Sequence, residues 1–337
     1  MKNNYKLLGI ISIFLFSVHS TAQTAFEKIC KEKVANTLAT TIVGEDGWLF
    51  LASELSHISK GKFYGKEAAK TAVSTNPSRQ DPIPAIVDFN NQLKAQGIQL
   101  YLVPVPPKAI VNANKIDASV TKNQNVSIHY KNLYKELSKQ GVEVINLFPA
   151  FVKETEKGNP TYCKQDSHWN PKGIEVASKA VAGKIKNQDW YTKYSGTKQQ
   201  EKATKKTIQI DGDLKAGAAN ASLGKEKIVI NSFQKSSKID TNSPVLIIGD
   251  SHTLIFHAGG DMLAKNAGFS DNLAAQLGLN VDLIGVKGSG TSSVRIDLYR
   301  KAKNKDWLGK KKVIIWCFAA RDFSESKNGW RKVPVVK

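Results

Sequence analysis

Residues 245–253 read VLIIGDSHT. A continuous apolar run that stops at a turn signal marks a strand buried on both faces, as in a parallel sheet covered by helices. Gly249 permits a tight turn, and Ser251 stands just past the strand end. Thr253–Phe256 reads as the first turn of a following helix. A strand-to-helix turn of this kind lifts a hydroxyl above the sheet and aims backbone N–H groups at whatever the oxygen attacks.

Four further runs repeat the design: Ile98–Val105, Val142–Leu147, Val281–Val286 and Val313–Phe318. Helical periodicity over Ile83–Gln96, closed by Gly97, precedes the first, and Ile128–Lys139 with Gly141 precedes the second. A helix ending near Gly278 precedes Val281. Strands alternating with helices predict a three-layer α/β/α sandwich around a parallel sheet of about five strands. Ligands of such sheets bind outside the carboxyl ends of the strands. The polar groups fall there: Pro106-Pro107-Lys108, Asp250-Ser251, Gly288-Ser289-Gly290 and Arg321-Asp322 each follow a strand.

Between the second and third strands lies YCKQDSHWNPKG, residues 162–173. A serine hydroxyl needs a neighbouring base, and His168 is the candidate, with Asp166 to hold its tautomer. In an extended segment residues two apart face the same way, so Asp166 and His168 are expected to project together into one cleft. Asn170 is expected to cap a helix that has Pro171 at its first position. His252 and His257 compete as bases for Ser251. His57 and His129 stand in polar contexts with no evident partner and read as structural.

The first residues bound the compartment. Met1–Lys6 carry two lysines and no acid, Leu7–Val18 are apolar apart from serines, and Ser20-Thr21-Ala22 has the small residues a signal peptidase needs. A secretory signal over residues 1–22 is expected, leaving residues 23–337 as a single exported domain with a basic, lysine-rich insertion at about 187–243. Within that insertion Thr207–Ile210 and Lys227–Ile230 suggest a hairpin. Three cysteines in an oxidising compartment allow one disulfide, and Cys30–Cys163 is the expected pair. No CxxC pair and no spaced Cys/His set supports a metal site, and no residue pattern calls for a cofactor. The formal charge of +20 favours a polyanionic partner. For an exported chain that means an acidic polysaccharide or envelope surface and not nucleic acid. Lys108, the lysines between residues 193 and 206, and Lys310–Lys312 are the expected gripping rim, with Trp169 as a second substrate contact.

The upstream DSHWNPKG with the downstream GDSH resembles the AlgX/AlgJ family of periplasmic polysaccharide O-acetyltransferases, whose domains are SGNH-hydrolase-like. GEDGWLFL at Gly44–Leu51, VPVPPKA at Val103–Ala109 and VIIWCFAARDF at Val313–Phe323 are similar to further motifs of that family. The likeness spans about residues 40–325. It implies a triad of Asp166, His168 and Ser251 that passes an acetyl group through an acyl-serine to hydroxyls of an acidic exopolysaccharide such as alginate. It implies a periplasmic location and a membrane-bound O-acyltransferase partner as acyl source. The oxyanion would be held by the Ser251 amide and a donor in the Gly288–Gly290 turn, with Arg321 lining the cleft for a sugar carboxylate. Two other outcomes share the features: a carbohydrate acetylesterase of the same fold, and a non-catalytic polysaccharide-binding or assembly protein.

Overall fold

The computed structural model describes residues 25–120, 126–196, 198, 200–216 and 222–336. The expected signal segment, residues 1–22, lies outside them. No helix among the described residues is long and apolar enough to cross a membrane.

The chain opens with helical residues 25–35 and an antiparallel pair, β1 (Thr41–Val43) with β2 (Leu49–Leu51), built on the GEDGWLFL stretch. The five expected strands then form one parallel sheet. β3 is Gln99–Val105, β4 Glu143–Val144, β7 Val245–Gly249, β8 Asp282–Gly285 and β9 Val313–Ala319. Their order is β4-β3-β9-β7-β8. The residues of β7 and β9 are buried throughout, as are all but the first of β3, so helices cover both faces. That is why these strands read as unbroken Val/Ile runs. β4 is shorter than the six residues expected because only Glu143 and Val144 pair with the sheet, at Tyr101 and Leu102.

The register brings the carboxyl ends level: Gly249 lies opposite both Cys317 and Gly285, and Val105 lies opposite Ala319. A Cβ at position 249 would sit 2.0 Å from the Cys317 carbonyl oxygen, so only glycine lets β7 turn so close to β9. Chain order moves outward through β3 and β4 at one side and through β7 and β8 at the other, with β9 between. The reversal point is therefore at the ends of β3, β9 and β7.

Helix Pro82–Ala95 precedes β3 and helix Ile128–Lys139 precedes β4, close to expectation. Helix Pro171–Lys186 has Asn170 as its cap, with Oδ1 accepting the amides of Lys172 at 2.9 Å and Gly173 at 3.0 Å. The helix expected at Thr253–Phe256 does not form. A single 3₁₀ turn, Ser251–Thr253, follows the strand, and Phe256 takes a φ of 60° that ends it. The next α-helix is Phe269–Leu277. The insertion holds the hairpin, longer than expected: β5 (Thr204–Ile210) pairs with β6 (Glu226–Ser232) over their full lengths.

Candidate active site

The Asp166–His168 segment is not extended. It is a tight turn in which the Asp166 carboxylate closes on the residue two ahead, as short acidic side chains do. Asp166 Oδ1 accepts the His168 amide at 2.9 Å and faces His168 Nδ1 at 2.7 Å. The opposite ring nitrogen, Nε2, lies 2.7 Å from Ser251 Oγ. A residue before the Pro171 helix thus meets the hydroxyl at the end of β7 across 83 positions of sequence. With the proton on Nδ1 and directed at the carboxylate, Nε2 is the acceptor for the Ser251 hydroxyl.

Both partners of the dyad are buried. Burial alone would lower the His168 pKa, but the Asp166 hydrogen bond and charge, with Asp213 and Asp250 behind them, outweigh it and raise it above the ordinary value. Burial opposes the charge on Asp166 too, yet His168 and the amides of Asp213 and His168 hold its pKa below the carboxylate norm.

The insertion supplies an unanticipated support. Asp213 Oδ1 accepts the Ser167 amide at 2.7 Å, and Oδ2 accepts the Ser167 hydroxyl at 2.6 Å. The Asp213 amide donates to Asp166 Oδ2 at 3.0 Å. Glu226, which opens β6, accepts the amides of Lys164 at 2.8 Å and Gln165 at 3.0 Å. Gly212 permits this latch, since a Cβ there would lie 2.0 Å from the Gln165 carbonyl oxygen. One clue was present in the DGDL stretch, residues 211–214, where acid and glycine stand together between two strand-like runs. Asp166, His168 and Asp213 place ligand-type atoms within 4.8 Å of one another. Asp166 and His168 already face each other, and Asp213 accepts from Ser167.

Asp250 performs a parallel task at the β7 end. Its Oδ1 accepts the His252 amide at 2.8 Å and faces Nδ1 at 3.1 Å, and its Oδ2 accepts the Ala319 amide at 2.8 Å. Burial opposes that charge, but His252 and the Ala319 amide keep the carboxyl ionised, well below the usual range. Burial depresses the His252 pKa, and its ring packs 4.8 Å from that of His168. His257 is turned away to Asp271, at 2.9 Å. Neither competing histidine has a hydrogen bond to Ser251 among the described residues.

Several expected contacts are corrected. Lys108 is 1% exposed and cannot grip a polymer. Its ammonium donates to the carbonyls of Leu49 at 2.6 Å, Lys164 at 2.9 Å and Asp166 at 2.9 Å, between the rings of Trp48 and Phe50. It is an internal tie that fixes the Asp166 segment, with burial depressing its pKa to about 8. Trp169 is wholly buried and donates to the His252 carbonyl at 3.1 Å, joining the two halves of the site from behind. In the Gly288–Gly290 turn, the Ser289 amide donates to the Val286 carbonyl at 3.2 Å, so that donor is taken. Gly290 instead packs against Asp250. Lys311 is buried against Asp282 at 2.8 Å, ahead of β9 and so at the opposite end of the sheet from Ser251. His57 and His129 do have partners, Ser324 at 2.6 Å and Glu27 at 2.9 Å. Cys30, Cys163 and Cys317 are separate buried thiols, so the expected Cys30–Cys163 bridge is absent.

Arg321, just past β9, is partly exposed and has no carboxylate within 4 Å among the described residues. Burial works against its charge, but Asp322, Asp250, Glu54 and Asp213 surround it closely enough to raise its pKa. The Ser251 amide likewise has no acceptor among the described residues.

A parallel sheet with a Ser-His-Asp hydrogen-bond chain at its carboxyl ends has the form of an SGNH-hydrolase-like domain. The family model of the SGNH hydrolase-like domain of acetyltransferase AlgX matches residues 41–320, and the chain belongs to that family. The alginate biosynthesis protein AlgX of Pseudomonas putida is 22% identical over 87% of this chain and 59% of its own length. The probable alginate O-acetylase AlgJ of Pseudomonas syringae pv. tomato is 23% identical over 43% of this chain and 33% of its own length. The chain thus spans about three fifths of the AlgX relative. Among solved structures, the O-acetyltransferase domain of Pseudomonas putida AlgJ superimposes with a TM-score of 0.62 at 20% identity, over 85% of this chain and 93% of that one. Pseudomonas aeruginosa AlgX gives 0.57 at 18% identity, over 85% of this chain and 63% of that one. These likenesses establish the fold.

Proposed function

We propose that this chain is an exported serine O-acetyltransferase that acetylates hydroxyls of an acidic exopolysaccharide such as alginate. The observation that carries the reading is the unbroken chain from Asp166 through His168 to Ser251, each link 2.7 Å long. Residues 23–337 act in it as one SGNH-hydrolase-like unit, with the insertion contributing Asp213. The names of the AlgX and AlgJ relatives support the choice of alginate and of acetyl transfer.

In the first half-reaction His168 Nε2 takes the Ser251 proton as Oγ bonds to the acetyl carbonyl carbon. Asp166 stabilises the imidazolium that forms. The tetrahedral intermediate collapses, the donor's oxygen leaves with the proton from Nε2, and acetyl-serine remains. In the second half-reaction a sugar hydroxyl gives its proton to Nε2 and attacks the same carbon. Ser251 Oγ departs and recovers that proton. The Ser251 amide is the oxyanion donor the geometry favours, and Arg321 supplies positive charge at the rim for the oxyanion or a sugar carboxylate. The periplasmic setting and a membrane-bound O-acyltransferase donor belong to the same proposal. An acetylesterase would use the first half-reaction and then water, so the acceptor decides between them.

The test is a chromogenic acetyl ester with and without oligouronates, with products read by mass spectrometry. Acetylated oligosaccharide is expected from the wild type and none from Ser251→Ala of unchanged fold. Release of acetate alone would assign an esterase. Equal turnover by Ser251→Ala would remove the nucleophile assignment altogether.

A further inference from the structure

Helix Pro171–Lys186, helix Phe269–Leu277 and the strands of the insertion enclose a surface groove of about 720 Å³. This lies within the range of small-ligand sites. Its floor includes Phe233 and Leu277, and its walls carry Lys179, Lys186, Lys198 and Lys202. The acids beside them are already spent. Glu175 pairs with Lys179 and Lys172. Glu201 is taken up by the backbone amides of Gln234, Lys235 and Ser236 at 2.6–3.1 Å. Lys186, Lys198 and Lys202 have no carboxylate partner within 4 Å among the described residues, so three unpaired cations face one cavity and outnumber the single remaining negative charge, that of Glu201. Tyr191 stands among them with its hydroxyl tied to the Leu277 carbonyl at 2.7 Å and Lys198 Nζ 4.1 Å from its ring centre. The ring is therefore fixed in place before any ligand arrives.

We propose that this groove is a second binding site, for a uronate-bearing glycan chain, separate from the Ser251 centre. Carboxylates meet the three lysines, and the apolar floor and the fixed Tyr191 ring take the C–H faces of the sugars. Single-stranded nucleic acid is the poorer fit, because such sites set out several aromatic rings for successive bases and this groove offers one. The Pro171 helix begins three residues after His168, and at 1.5 Å per residue Lys186 lies about 24 Å along it from Asn170. A polymer held there is a distal handle, raising the local concentration of its other sugars at Ser251. The choice of glycan rests on the acetyltransferase reading; the charged groove does not.

The experiment uses the full chain carrying Ser251→Ala, so that nothing turns over, and measures oligouronate binding calorimetrically at low and high salt. Adding Lys186→Glu, Lys198→Glu and Lys202→Glu is expected to weaken binding about tenfold at low salt and to flatten its salt dependence. A control with Lys66→Glu, Lys70→Glu and Lys303→Glu has the same net charge and is expected to keep the affinity. Equal loss in both variants, no loss in the first, or equally tight binding of a neutral oligosaccharide or single-stranded DNA would overturn the site. Failure of acetyl transfer by the wild type would count against the proposed activity and leave this result standing.

Discussion

Asp213→Ala isolates what the insertion does for the dyad. The side chain accepts two hydrogen bonds from Ser167, at 2.7 and 2.6 Å, and its charge raises the His168 pKa. It is 45% exposed, so each bond is worth about 1 kcal/mol after solvent screening, and the fold should lose about 1–2 kcal/mol. The effect on rate is larger, because releasing Ser167 frees the turn that aims His168 Nε2 at Ser251. A misplacement near 1 Å costs about a hundredfold, so a loss of about ten- to a hundredfold in kcat/KM is expected. In the proposed reaction His168 must be neutral to take the serine proton, so activity is expected to rise with pH through its pKa. Removing a negative charge that raises that pKa moves the acid limb to lower pH. Asp213→Asn keeps an acceptor for Ser167 and removes the charge: rate should recover while the acid limb stays shifted. The assay is the pH profile of kcat/KM for a chromogenic acetyl ester. An acid limb that does not move in either variant would refute the charge effect, and an Asp213→Ala rate equal to that of the wild type would refute Asp213 as a positioning residue.

Three further outcomes follow from the corrected side chains. Lys108→Met takes one donor from each of three carbonyls, at up to about 1 kcal/mol each, with that of Lys164 keeping the Leu49 amide at 2.9 Å. It also removes an ammonium whose charge burial disfavours. The two oppose each other, so urea unfolding should shift by less than about 2 kcal/mol while ester turnover falls at least tenfold as the Asp166 carbonyl loses its tether. Lys311→Met takes the closer of two ammonium partners from the buried Asp282 carboxylate and leaves it Lys301 and Trp307. It should therefore cost less than a fully unpaired buried charge does, about 3–5 kcal/mol, read in urea unfolding, without touching the Ser251 end. The folded Asp282 pKa lies below its unfolded value, so the wild-type contribution is present at neutral pH and is lost as pH falls through the folded value. All three thiols should stay unreactive to a thiol reagent in the native protein and react on unfolding, since burial raises each pKa. Native-state loss of Cys30 and Cys163 to a disulfide, seen by mass, would contradict the fold around them.

The sheet was legible because parallel strands buried on both faces need unbroken apolar runs, and five such runs stand between helical periods. The grouping of its polar residues was legible because Ser251, Asp250 and Arg321 each follow a strand, where the level carboxyl ends gather them. Side-chain direction was another matter. A lysine in sequence reads as a cation for solvent, and nothing local to Lys108 reveals that carbonyls from Leu49, Lys164 and Asp166 will cage it. Lys311 misled for the same reason, its partner Asp282 lying on another strand. Asp213 was hidden by distance. It sits 46 positions from Ser167, inside an insertion whose polar composition resembles a solvated arm.

The tripeptide Asp-Ser-His occurs twice, at 166–168 and 250–252, and both copies fold the same way. In each the carboxylate takes the histidine amide and faces Nδ1, at 2.9 and 2.7 Å in the first and 2.8 and 3.1 Å in the second. Local chemistry therefore does not tell the two serines, or the two rings, apart. Packing does. Asp213 occupies the hydroxyl of Ser167, so that serine is spent on the scaffold, while the Ser251 hydroxyl points to Nε2 of the other copy's ring. Asp250 is stitched to the end of β9 through the Ala319 amide, which fixes His252 as part of the wall, and Trp169 ties to its carbonyl. One copy keeps its imidazole available and the other its hydroxyl, and the hydrogen-bond chain is assembled from the half that each has left free. Two equivalent local turns become chemically distinct because an insertion and a sheet edge each claim a different side chain.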